Sequence, residues 1–198
     1  MPNPAPRRLG LLGGTFDPPH VGHLAAAQAV LAELHLDRVD FLVANDPWQK
    51  SDSRNVSPSD VRLQMVAALV RGREGLGVDD REIRRGGLTY TADTLEEIHR
   101  ESAGVEIFLI VGADTAARMS TWHRPEVVRR LSTLVVVNRT GQQEVSTDSS
   151  VINVTMQPID VSSTKIRECV SRGESIESLT TPDVARIIDS NSLYRGVQ

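Results

Sequence analysis

The chain has 198 residues, 39% of them hydrophobic and 24% charged, with 22 Lys and Arg against 26 Asp and Glu. A formal net charge of −4 denies it the basic surface of a general nucleic-acid binder, and no apolar stretch approaches the ~20 residues of a membrane span, so neither a polynucleotide nor a membrane is expected as partner. Cys169 is the lone cysteine, which excludes an intrachain disulfide; without a long apolar core near the N-terminus, a reducing cytoplasm is the expected setting, and residues 1–198 are expected to form one domain.

Short apolar strands alternate with helical patterns. Leu9–Leu12 reads as a strand, followed by a helix from about Pro18 to His35 that Asp17 is expected to cap, since proline at the first helical position loses no hydrogen bond. Val39–Ala44 is a second strand and Asn45–Asn55 a polar loop. Ser57-Pro58-Ser59-Asp60 opens the next helix, carrying Val61, Met65, Ala68 and Leu69. A third strand is expected over Val78–Ile83, then a helix capped by Thr91 with Leu95 and Ile98 facing inward. Val105–Val111 is an almost unbroken apolar run, the mark of a strand buried on both faces. Pro125–Leu131 reads as a short helix, Thr133–Asn138 and Val151–Met156 as strands, and Thr140–Ser150 as a polar loop. Two helices, Ser163–Arg172 and Pro182–Asp189 behind a Thr181 cap, close the pattern. Such alternation predicts an α/β fold, a doubly wound parallel sheet of Rossmann-like type with a small C-terminal helical part, whose ligand crevice lies at the carboxyl ends of the strands.

The stretch from Gly13 to His23, GGTFDPPHVGH, falls on that edge. Gly13 and Gly14 allow a sharp bend and a close approach of backbone to a ligand. The helix that follows aims free amides at the same crevice, a seat for phosphate. His20 and His23 stand three apart, so both project from one face of the first turn, and Gly22 between them removes bulk. The dinucleotide-binding GxGxxG pattern does not fit, no Walker A lysine is present, and no third ligand at zinc spacing accompanies the histidines. What remains is a polyphosphate pocket with two imidazoles.

GTFDPPHVGH resembles the (H/T)xGH signature of the nucleotidyltransferase superfamily, and the form GGTFDPxHxGH most resembles the nicotinate-nucleotide adenylyltransferases. Three further segments, in family order, agree: Gly87-Leu88-Thr89-Tyr90-Thr91-Ala92-Asp93-Thr94-Leu95 resembles SYTxxTL, Gly112-Ala113-Asp114 with Thr121-Trp122-His123 resembles GxD…W, and Ser162-Ser163-Thr164-Lys165-Ile166-Arg167 resembles ISSTxIR. Two departures stand out. Pro47-Trp48-Gln49-Lys50 replaces the family's Pro-Pro-His-Lys/Arg, and Pro125 stands where a second aromatic often follows the Trp-His pair.

The resemblance implies transfer of adenylate from ATP to nicotinate mononucleotide, giving deamido-NAD and pyrophosphate, with Mg2+ accompanying the nucleotide. It places Gly13, Gly14, Thr15, Phe16, His20 and His23 at the ATP phosphates, with His20, His23 and Arg167 as catalytic groups. Ser163, Thr164 and Arg167 would hold the departing pyrophosphate, and Gly112 with Asp114 would meet the adenosine ribose. Lys50, Tyr90, Thr91, Trp122 and His123 would hold the acceptor, the indole stacked on the pyridine ring. The acceptor's phosphate is already ionised near neutral pH, so no general base is called for. Two rival readings are a phosphopantetheine or phospho-alcohol acceptor, against which Tyr90 and Trp122 argue, and a non-catalytic nucleotide sensor, against which both histidines and the SSTKIR segment argue.

Overall fold

A computed structural model describes residues 7–46, 56–139 and 150–196. Six strands, β1 (Arg8–Gly14), β2 (Arg38–Val43), β3 (Leu76–Asp79), β4 (Glu106–Gly112), β5 (Thr133–Arg139) and β6 (Val151–Met156), form one sheet in the order β3-β2-β1-β4-β5-β6. Every pairing is parallel, with Leu11 opposite Asp40 on one side and Leu109 on the other. The winding therefore reverses between β1 and β4, and a crevice opens beyond their carboxyl ends. This is the doubly wound α/β sheet that the alternation predicts.

Strand residues alternate between two buried layers. Leu12, Val39, Phe41, Phe108 and Ile110 pack on one face against α1 (Val21–Glu33), α2 (Ser59–Val70), α7 (Ser163–Ser171) and α8 (Pro182–Ser190). Leu9, Leu11, Ile107, Leu109 and Val136 pack on the other against α4 (Thr91–Glu101) and α6 (Pro125–Leu131). Cys169 is buried in the first layer, in the packing role expected of it. Gly10 belongs to that packing too: a Cβ there would lie 2.8 Å from Val39 Cγ2.

Three boundaries differ from expectation. The first helix begins at Val21, not Pro18, because a residue before proline is pushed out of helical geometry, which excludes both Asp17 and Pro18. The cap is His20, in extended conformation, and not Asp17. The third strand ends at Asp79 instead of reaching Ile83: the Asp79 carboxylate accepts the Arg81 amide at 2.9 Å, turning the chain into the short helix α3 (Arg81–Arg85). Tyr90, without a side-chain cap bond, precedes α4, so Thr91 is its first residue and not its cap. The other caps stand as read: Thr181 Oγ1 accepts from the Val184 amide, and Pro125 opens α6.

Candidate active site

A cavity of about 600 Å³ lies over the β1/β4 reversal, a volume suited to a small-molecule ligand. Gly13, Gly14, Thr15, Phe16, His20, His23, Gly112, Ser163, Thr164 and Arg167 line it, and so do Tyr90, Thr91, Trp122 and His123. Four segments far apart in sequence thus meet around one space. Asp114 does not line it; it sits exposed on the short helix α5 (Ala113–Ala116), two residues past Gly112. Lys50, with the altered loop around it, lies outside the described residues.

The loop from Gly14 to His20 is held from several sides. Gly13 and Gly14 remain in β1; the turn falls on Phe16, at φ 51, with its ring buried at 3% exposure. A Cβ on Gly14 would come within 2.8 Å of that ring, whereas one on Gly13 would meet nothing within 4 Å, so the bare Gly14 makes room for Phe16 while the space over Gly13 is open. The carbonyls of Asp17, Pro18 and Pro19 accept from Arg167 Nη1 (2.8 Å), Ser163 Oγ (2.8 Å) and Thr180 Oγ1 (3.0 Å). The Asp17 carboxylate accepts from Tyr194 Oη at 2.5 Å and from the Ser57 amide at 3.3 Å. Burial and the neighbouring Asp17 push the Tyr194 phenol above its ordinary pKa, so it stays a donor.

Beneath this loop lies Arg62, 1% exposed. Its guanidinium donates to the carbonyls of Ser57 (2.8 Å), Thr15 (2.9 Å), Ala44 (2.6 Å) and Asn45 (2.9 Å). One rigid fork thereby ties the ends of β1 and β2 to the start of α2. Nothing in its helical surroundings marks Arg62 in the sequence, because the partners are main-chain atoms whose approach only the fold creates.

His20 and His23 cap each other. The His23 amide donates to His20 Nδ1 at 3.3 Å, and the His20 amide donates to His23 Nδ1 at 3.2 Å, a capping box made of two imidazoles. Their rings stack with centroids 3.6 Å apart and planes 20° from parallel, and Phe16 meets His23 edge-on at 5.1 Å. With Nδ1 an acceptor, the neutral ring carries its proton on Nε2, which makes each imidazole a hydrogen-bond donor along that edge. Gly22 serves this arrangement: a Cβ there would lie 2.9 Å from Val161 Cγ1 and 3.1 Å from His20 Nδ1, so its missing bulk makes room for protein rather than for a ligand.

The second helix start adjoins the first. Ser162 caps α7 by accepting the Lys165 amide at 3.1 Å, leaving Ser163 and Thr164 in its first turn. Arg167 Nη2 donates to Thr164 Oγ1 at 3.0 Å, which holds the guanidinium over that turn. Two helix N-termini and one arginine therefore converge on the same side of the cavity, an arrangement suited to a polyphosphate.

The opposite wall is aromatic. Tyr90 and His123 rings lie 4.4 Å apart, and half-buried Trp122 packs beside the second core layer with its Nε1 buried and without a partner among the described residues. Arg124 reaches back to Asp93 (3.2 Å) and Glu96 (2.5 Å), fastening the Trp122-His123 segment to α4. Thr89 Oγ1 accepts the Asn45 amide at 3.2 Å, and Asn45 Nδ2 donates to the Gly87 carbonyl at 3.0 Å, joining the approach to α4 with the end of β2. Glu82 and Arg118 line the cavity as well, and no motif of the sequence marks either. Glu82 falls where the pattern predicts a strand, and Arg118 stands between two recognised segments. Among the described residues no trio of His, Cys or carboxylate side chains is placed to hold a metal ion, and no helix is long and apolar enough to cross a membrane.

Comparison with known proteins gives concordant results. The cytidylyltransferase-like family pattern matches residues 11–169. A protein named probable nicotinate-nucleotide adenylyltransferase from Dehalococcoides mccartyi is 36% identical over 198 residues, covering 94% of this chain and 97% of that one. Another of the same name, from Corynebacterium kroppenstedtii, is 38% identical over 192 residues, covering 94% and 90%. The structure of the Plasmodium falciparum nicotinic acid mononucleotide adenylyltransferase, complexed with APC, superposes with a TM-score of 0.77 at 13% identity, over 95% of this chain and 97% of that one.

Proposed function

We infer that this chain, which belongs to the nicotinate-nucleotide adenylyltransferase family, transfers the adenylyl group of ATP to nicotinate mononucleotide, giving nicotinate adenine dinucleotide and pyrophosphate in NAD biosynthesis. One observation supports the reading at the level of the site: a single cavity is lined both by the helix starts at His20 and Ser163 and by the aromatic side chains of Tyr90, Trp122 and His123.

In this reading an oxygen of the acceptor's 5′-phosphate attacks the α-phosphorus of ATP, and the bond from that phosphorus to the β-bridging oxygen breaks. The nucleophile arrives ionised, so the protein's work is to align two anions and stabilise charge in an in-line transition state. His20 and His23, each with its proton on Nε2, donate to the α-phosphate oxygens. Their mutual caps fix the ring orientation before substrate arrives, and Gly13 lets the main chain approach the same phosphate. Thr15 and Phe16 complete that wall. The first-turn amides of α7, with Ser163, Thr164 and Arg167, hold the β- and γ-phosphates and accept the charge that develops on departing pyrophosphate.

Gly112, in the cavity wall, serves the adenosine ribose, and Asp114 is assigned to it by resemblance alone. Trp122 stacks on the pyridine ring, and main-chain donors near Thr91 and His123, framed by Tyr90, satisfy the ring carboxylate. Lys50 is assigned to the acceptor by resemblance alone. Magnesium would enter with the ATP substrate, whose phosphate oxygens supply the hard ligands it prefers. Residues 1–198 act as one domain, on small molecules, in the cytoplasm.

Incubating the protein with ATP, magnesium and nicotinate mononucleotide should release pyrophosphate and form nicotinate adenine dinucleotide in equal amounts. Pyrophosphate release only with phosphopantetheine or a phospho-alcohol would move the chain to another branch of the superfamily. Binding of ATP without release in any mixture would favour a sensor.

A further inference from the structure

Glu82 is an acid of the cavity wall for which the reaction has so far no use. It lines the cavity beside Thr89, Tyr90 and Thr91, yet it is only 2% exposed. Its Oε1 accepts from Thr94 Oγ1 at 2.7 Å, and among the described residues no ion pair reaches it. The nearby cations are engaged elsewhere. Arg85 donates to Thr94 Oγ1 at 2.9 Å and to Glu97 at 2.6 Å, while Arg81 pairs with Asp79 at 2.6 Å and Glu101 at 2.9 Å. The charged groups facing Glu82 are thus Arg81 and Arg85 of α3 and Asp79 of β3, with Glu97 of α4 behind Arg85.

A buried carboxyl without a salt bridge holds its proton more tightly than a solvated one. Here loss of solvent pushes the Glu82 pKa up to about 7, against the opposing pull of the Thr94 hydrogen bond and Arg85. The group therefore changes charge near neutral pH. Thr94 stands in the first turn of α4, so the contact also bears on Tyr90 and Thr91 at the helix start.

We propose that Glu82 is a positioning residue that makes acceptor binding proton-linked: its Oε1 accepts from Thr94 at the start of α4 in either state; protonated, it leaves that wall neutral, and ionised, it sets a buried negative charge beside an anionic acceptor and opposes it. The proposal rests on the acceptor being a pyridine mononucleotide whose ring carboxylate reaches the Tyr90 end. Binding of such an acceptor draws a proton onto Glu82. An acceptor carrying a carboxamide in place of the carboxylate draws less.

The test compares the KM values for acceptor and ATP in wild type and Glu82→Gln between pH 6.5 and 8.5. In the wild type the KM for nicotinate mononucleotide should rise about tenfold over that range, while the KM for ATP does not follow. The neutral amide of the variant still accepts from Thr94, so its acceptor KM should be nearly flat and, at pH 8.5, below that of the wild type. A variant profile as steep as the wild type's, or an acceptor KM raised at every pH, would overturn the proposal. A measurement needing no variant is calorimetric titration of the wild type at pH 7.5 in two buffers of different ionisation enthalpy. Proton uptake should be larger with nicotinate mononucleotide than with nicotinamide mononucleotide, and equal uptake would contradict the proposal. Product identity decides the family reaction separately, so failure of the proton linkage leaves adenylyl transfer standing.

Discussion

The two ends of the cavity are built on opposite plans. At the end proposed for the phosphates nearly every polar group is locked in place: His20 and His23 cap each other, Arg62 gathers four carbonyls, and Tyr194 and Ser57 fix Asp17. At the aromatic end, proposed for the acceptor, the wall contains groups that the described residues leave incomplete, namely an indole N–H without a partner and a buried carboxyl without an ion pair. In the proposed reading the difference follows from the chemistry each end would serve. Phosphates of a common nucleotide demand donors in fixed positions before substrate arrives, and rigidity there lowers the barrier directly. Acceptor choice turns on one ring substituent, and discrimination grows where an ill-matched polar group would be left unpaired.

The largest way to break this contrast is to remove the lock. Arg62→Ala would orphan the Thr15, Ala44 and Asn45 carbonyls in a buried site, and a loss of at least ~3 kcal/mol in urea unfolding is expected. A loss under ~1 kcal/mol would show that the loop is held without it. Next in size are His20→Ala and His23→Ala, each expected to lower turnover ~10²–10³-fold. Because each ring also caps the helix, these variants should in addition lose ~0.5–2 kcal/mol of stability while remaining folded. Turnover within twofold of wild type would remove that histidine from the α-phosphate.

Glu82→Gln tests the other end through stability. A carboxyl whose pKa is raised from 4.5 to about 7 on folding stabilises the native state fully below the lower value and loses that contribution as pH climbs toward the upper one. The variant should therefore gain on the wild type between pH 4.5 and about 7, by about 3 kcal/mol at most, read as the difference in unfolding free energy. A gap that does not change with pH would mean that folding leaves the Glu82 pKa where it is in the unfolded chain. Smaller again is Arg167→Ala, which should raise the KM for ATP several-fold more than that for the acceptor. Equal effects on both substrates would detach Arg167 from the leaving pyrophosphate.

The amino-acid sequence makes much of this legible, but unevenly. The alternation of strands and helices, the run Val105–Val111 and the strand-to-helix position of GGTFDPPHVGH suffice for the sheet and the edge that carries the cavity. Identity of side chains at a site is written in the sequence; the main-chain atoms they bind are not. Thus His20 and His23 stand out as a pair, whereas their reciprocal capping does not, and Asp17 reads as the cap because Asp is the commoner capping residue. Arg62 gives no signal, since its partners are carbonyls from distant segments. Glu82 is hidden by a strand boundary: Val78–Ile83 reads as one strand unless the turn that Asp79 makes with the Arg81 amide is known.

The central claim, that the aromatic end selects a pyridine carboxylate while the phosphate end performs adenylyl transfer, meets its most direct test in kcat/KM for nicotinate against nicotinamide mononucleotide at fixed ATP and magnesium. Main-chain donors around Thr91 and His123 would satisfy a carboxylate and oppose the amide's NH₂, an unpaired contact costing ~1–3 kcal/mol, so nicotinate should be favoured at least ~10-fold. Trp122→Ala should lower both values together, because stacking does not distinguish the two rings. Equal values for the two acceptors in the wild type, or a preference for nicotinamide, would contradict the account.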